Sequence, residues 1–141
     1  MKKIILTFVL IANILNAQKI ETIKSDVVVG KLNHISLNIS NDKFVLCFTN
    51  VEFTTINDTK CISIGTKEFT DELYKKLSEN FIKQVPENLQ VQLGNRKLKF
   101  YFVTALGVKS FRFELTDELG IVSISEYVTK KKLDKLFGYS K

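Results

Sequence analysis

Alternation of apolar and polar residues dominates the chain from residue 35 onward. Ile35, Leu37 and Ile39 alternate with Ser36 and Asn38, Ser40-Asn41-Asp42 is a run of turn residues, and Phe44, Leu46 and Phe48 alternate again. A period of two marks a strand with one buried face. A hairpin closed at Ser40-Asn41-Asp42 sets Ile39 against Phe44, Leu37 against Leu46 and Ile35 against Phe48. All six side chains then share a face, which fixes the register. Asn57-Asp58-Thr59 is the next turn signal, and Ile62 and Ile64 follow it two apart.

The period changes after Gly65. From Thr70 to Gln84, Leu73, Tyr74, Leu77, Phe81 and Ile82 recur at helical spacing, with Lys75, Lys76, Glu79 and Lys83 opposite. This predicts an amphipathic helix over 70–84, capped by Thr70, favoured by Asp71 and Glu72 in its first turn and stopped by Pro86. Alternation then returns. Leu89, Val91 and Leu93 lead to Gly94-Asn95, followed by Leu98, Phe100 and Phe102, then Phe111, Phe113 and Leu115, and finally Val122 and Ile124. Sequential pairing sets Val91 against Phe100, Phe100 against Phe113 and Phe113 against Ile124, leaving one face apolar across all four strands. Near the end, Thr129 caps a short helix carrying Leu133, Leu136 and Phe137, with Gly138 as its stop.

The predicted fold class is α+β: a mostly antiparallel sheet of about seven strands, covered by one amphipathic helix, with a short C-terminal helix. The buried rings of Phe44, Phe48, Phe100, Phe102, Phe111 and Phe113 supply much of its core, each contributing about 2 kcal/mol before chain entropy is subtracted.

The first residues do not fit this pattern. Lys2 and Lys3 precede a largely apolar run from Ile4 to Leu15, and Leu15-Asn16-Ala17 offers a small residue for cleavage. That is the layout of a secretory signal peptide over 1–17, leaving a single α+β domain over 18–141 in the periplasm or outside the cell. A spanning helix needs about 20 apolar residues, and this run is shorter. The 141-residue chain carries a net charge of +6, two of those charges from Lys2 and Lys3. Arg96 and Arg112 are its only arginines, and that scarcity, with export, speaks against nucleic acid as a partner.

Export changes the reading of the two cysteines, because an oxidising compartment permits a disulfide. Two registers compete. Pairing strand 43–49 with strand 60–64 about residue 54 sets Cys47 opposite Cys61, Leu46 opposite Ile62 and Phe44 opposite Ile64. A tighter hairpin at Asn57-Asp58, which the turn residues favour, sets Cys61 opposite Thr54 and far from Cys47. Sequence leaves both open. The pair lacks the C-x-x-C spacing of a redox catalyst.

No catalytic, cofactor-binding or metal-binding set emerges from the remaining residues. His34, the one histidine, lies on the polar side of its strand, and although position 34 faces position 49, near Cys47, no orienting carboxylate or oxyanion hole accompanies it. Asp71 and Glu72 belong to a helix start and Asp117 and Glu118 to a turn. The expected function is therefore that of a non-enzymatic interaction or structural module, needing no cofactor, whose partner is a protein or envelope component. The basic run Lys130, Lys131, Lys132 and Lys135 offers weak contact with an anionic membrane surface. The alternative is a carrier holding a small apolar ligand between sheet and helix.

Overall fold

A computed structural model of the chain describes residues 25–53 and 55–140; the expected leader at 1–17 lies outside the described residues. The fold is α+β, and the described residues form nine strands in two antiparallel sheets and two helices. The first sheet is a meander in the order β1 (Val27–Lys31), β2 (Ile35–Ser40), β3 (Lys43–Thr49) and β4 (Thr59–Gly65). Helix α1 (Lys67–Ile82) follows. The second sheet runs β5 (Leu89–Leu93), β6 (Arg96–Ala105), β7 (Val108–Thr116) and β8 (Val122–Ile124), and β9 (Val128–Thr129) also pairs with β7. Helix α2 (Lys130–Leu136) closes the chain.

The expectation of one sheet under one helix is thus refined to two sheets. Among the described residues β5 pairs with β6 alone, so the second meander does not extend the first. Each sheet buries its apolar face in a core common to both: Ile35, Leu37, Leu46, Phe48, Ile62 and Ile64 from the first, Leu98, Phe100, Phe111, Phe113 and Leu115 from the second. Leu73 and Leu77 of α1 and Leu133 and Leu136 of α2 complete it, so the short helix is core as much as the long one. Phe48 meets Phe113 edge to face across the sheets, with ring centroids 4.8 Å apart. That arrangement contributes about 1 kcal/mol beyond the area it buries.

The first hairpin adopts the expected register, Ile39 opposite Phe44, Leu37 opposite Leu46 and Ile35 opposite Phe48. Asn41 and Asp42 both take positive φ, which small polar residues tolerate in a two-residue turn. The helix start differs from expectation. Thr66, not Thr70, caps α1, its hydroxyl accepting from the Phe69 amide at 3.4 Å. Thr70 lies one turn inside, buried, donating back to the Thr66 carbonyl at 2.8 Å. Ile82, expected on the buried side, is exposed at the helix end.

Two registers in the second sheet also depart from expectation. The two-residue turn at Gly94-Asn95 closes on Leu93 and Arg96, so Phe100 faces Leu89 and Val91 faces Leu98. Phe100 does face Phe113. At β8, however, Ile124 pairs with Glu114 and Ser123 with Leu115, one residue away from the expected pairing of Phe113 with Ile124. Val122 therefore turns outward while Ser123 and Ser125 are buried. Polar groups drive this slip. The Ser125 amide donates to the Phe113 carbonyl at 2.9 Å, and the Ser125 hydroxyl accepts from the Phe113 amide at 2.9 Å.

Asn50 pins the same strand from the other sheet. It is 1% exposed. Its Oδ1 accepts from the Ile124 amide at 3.0 Å and the Glu52 amide at 3.3 Å, while its backbone N–H donates to the Asp58 carbonyl at 2.8 Å. The Val51 amide donates to the Ile124 carbonyl at 2.9 Å. Removing the Asn50 carboxamide takes the acceptor from the Ile124 and Glu52 amides and breaks the tie across this junction. The Asn50→Ala variant is expected to lose about 2 kcal/mol, read from the urea midpoint at unchanged m-value.

Candidate functional site

Cys47 and Cys61 occupy directly opposed positions on β3 and β4 and form a disulfide, with Cα atoms 4.1 Å apart. The register about residue 54 is therefore the one adopted over most of the pair, with Leu46 opposite Ile62. One irregularity near Val45 sets Phe44 opposite Gly65 rather than Ile64. The tight turn at Asn57-Asp58 gives way because Asn50 and Val51 are bonded to β8, which draws the chain after β3 away from a close return. The bridge sits on the outer side of the first sheet, opposite the apolar face, and Cys61 is exposed.

His34 lies beside it. The Thr49 amide donates to the His34 carbonyl at 2.9 Å, which realises the expected facing of positions 34 and 49. His34, Ser36, Cys47 and Thr59 contribute to a shallow cleft of about 250 Å³. Within it the Cys47 sulfur is bonded to Cys61 and is no free thiolate.

The four C-terminal lysines, grouped as one basic run by sequence, are divided by the helix into two kinds. Thr129 caps α2 as expected, accepting from the Lys132 amide at 3.5 Å, and Gly138 takes the left-handed φ of +78° that ends it. Lys130 donates to Asp134 one turn on, and Tyr74 of α1 donates to the same carboxylate at 2.7 Å. The Lys130 ammonium also lies 5.3 Å from the centre of the Tyr74 ring. Burial pushes the Asp134 carboxyl up, but the hydrogen bonds from Lys130 and Tyr74 and the lysine charge outweigh it, so its pKa falls below the ordinary value. Lys132 is held by Glu126 at 3.1 Å and the Tyr127 carbonyl at 3.2 Å.

Lys131 and Lys135 are different. Both are exposed, and neither forms an ion pair with a described residue. They lie four apart on one flank of α2, a like-charge spacing that costs an isolated helix a few tenths of a kcal/mol. With Thr129 and Lys132 they face Leu32 and Asn33 of the β1–β2 turn across a cleft of about 220 Å³. The helix is held against β1 by close approach: a Cβ at Gly30 would stand 2.3 Å from the carbonyl oxygens of Leu136 and Lys135. Sequence carried no sign that residues 32 and 33 form the far wall, since that contact joins the two ends of the chain.

The gap bounded by Leu46, Ile64, Leu77, Phe100 and Phe111 measures about 10 Å³. Among the described residues, no group of three or more His, Cys, Asp or Glu is placed to hold a metal ion, and no helix is long and apolar enough to cross a membrane. No protein-family model matches the chain, and neither a curated protein nor a solved structure shows significant similarity to it.

The bridge closes a loop of 14 residues, a length for which chain-entropy arguments give about 3 kcal/mol. The paired Cys47→Ala, Cys61→Ala variant is expected to lose about that much in urea unfolding. The native protein should take up no alkylating reagent until a reductant is added.

Proposed function

We propose that the protein is an exported, non-enzymatic interaction module that acts through its surface, with the cleft between the β1–β2 turn and α2 as its contact for an anionic envelope component. The observation that carries this reading is the pair Lys131 and Lys135, left unneutralised on a helix whose other two lysines are bonded to carboxylates. Two like charges kept on one flank at some cost to the helix are suited to an anionic surface outside the chain. The core gap of about 10 Å³ is too small for an apolar ligand, and the roomier space between sheet and helix, about 300 Å³ beside β5, is open at the surface. Export is supported by the basic, apolar and small-residue layout of residues 1–17, and the Cys47–Cys61 bridge is compatible with an oxidising compartment.

Both parts are open to direct measurement. Protein recovered from the medium or periplasm of an expressing host should begin at Gln18 by intact mass; a first residue at Met1 removes export from the reading. Residues 18–141 should co-sediment with vesicles containing phosphatidylglycerol and not with neutral vesicles. Each basic residue near such a surface contributes about 1 kcal/mol, so the Lys131→Glu, Lys135→Glu variant should bind at least about tenfold more weakly. A Lys75→Glu change on α1 serves as the charge control. Equal sedimentation of the two variants would end the assignment of the basic cleft.

A further inference from the structure

We propose that the free edge of β5 is a strand-addition site for an extended segment of another protein in which apolar and acidic residues alternate. The proposal concerns a surface apart from the basic cleft and does not rest on the reading above. An open sheet edge offers unpaired N–H and C=O groups, and proteins ordinarily blunt such edges with bulges, charges, short strands or a covering element. The other edges here carry these devices. β1 is bulged between Val28 and Gly30 and pressed by α2 at Gly30. β4 carries Lys60 and the irregularity near Val45. β8 and β9 are three and two residues long. β5 carries none of them: its five residues, LQVQL, pair regularly with β6 and include no charge and no proline.

The register shows which groups are on offer. Leu93 and Arg96 close the two-residue turn, with Gly94 at a φ of +61°, so Leu93, Val91 and Leu89 exchange ladder bonds with β6. Gln90 and Gln92 alternate with them and turn their backbone N–H and C=O away from β6, towards the edge. Beside that edge runs a groove of about 300 Å³ between β5 and α1, with Phe69, Leu73 and Val91 among its walls. It is followed, past Leu93, by a cleft of about 370 Å³ bordered by β4, Lys43 and Arg96. A strand edge flanked by a helix is an arrangement in which backbone bonds provide affinity and alternate side-chain pockets provide selectivity.

Charge identifies the occupant. An added strand sends alternate side chains to opposite faces. One set meets the apolar groove at Phe69, Leu73 and Val91. The other lies beside Gln90 and Gln92, next to Lys99 and Lys97, their partners on β6. Lys97 and Lys99 form no ion pair with a described residue, and Glu114, opposite Lys99 on β7, is itself paired with Arg112, so this side is electropositive. Acidic residues on the incoming strand are complementary to it, whereas a second copy of this chain, net positive even without Lys2 and Lys3, brings more cations.

The probe is a fluorescein-labelled decapeptide of alternating valine and glutamate, compared with its valine–lysine counterpart and a version interrupted by proline. Residues 18–141 should bind the acidic peptide and bind the lysine and proline versions at least about tenfold more weakly. Hydrogen exchange at the Gln90 and Gln92 amides should slow at least about tenfold on binding. The Gln90→Pro variant removes an N–H that the β5–β6 ladder does not use. It should keep its unfolding midpoint and lose about tenfold or more in affinity. Absence of binding, equal binding of acidic and lysine peptides, or a bound peptide that leaves both amides unprotected would each overturn the proposal. So would a concentration-dependent dimer abolished by Gln90→Pro, which would give the edge to a second copy. The exchange measurement on the unmodified chain decides the matter even if the proline variant does not fold.

Discussion

Each sheet here has one apolar and one polar face, and neither is stable with its apolar face in water. The contact of Phe48 with Phe113 is where that constraint is met, because it joins the inner faces of two meanders that share no backbone ladder between their central strands. Phe100, Phe111, Leu37, Leu46 and Ile64 pack into the same cluster, and the two helices contribute Leu77, Leu133 and Leu136. The remaining features follow from keeping the sheets in this relation. Asn50 holds the loop after β3 to β8, and Tyr74 holds α1 to α2 through Asp134.

What sequence could show was whatever depends on neighbours along the chain. The β2–β3 register was legible because six apolar residues flank a turn that Asn41 and Asp42 can make. The α2 cap was legible because Thr129 precedes a helical spacing of Leu133 and Leu136. Errors arose where distant groups decide. Thr66 and Thr70 are equally good caps by residue type, and burial of Thr70 against the core selects the earlier one. At β8 the apolar rule would turn Val122 and Ile124 inward, but the bonds of Ser125 to Phe113 and of Asn50 to Ile124 outweigh the exposure of Val122 and the partial exposure of Ile124.

The same distinction governs the candidate sites. Cys47 and Cys61 were recognisable as a pair, but the choice between two registers was made by Asn50 and Val51, whose partner at Ile124 lies far along the chain. The four lysines were recognisable as a basic run. Their separation into two neutralised and two unneutralised charges required Glu126 and Asp134 to be placed around the helix. The β5 edge was not recognisable at all, since LQVQL reads like any strand until the sheet order leaves it outermost.

The approach of α2 to Gly30 bears on how the molecule comes to exist. The Lys135 and Leu136 carbonyls that crowd Gly30 belong to a helix synthesised long after β1. A nascent chain therefore lacks the α2 wall of its core until residues 130–136 have emerged. Closure of β1 against that helix must await them, which leaves a shorter nascent product open to proteases.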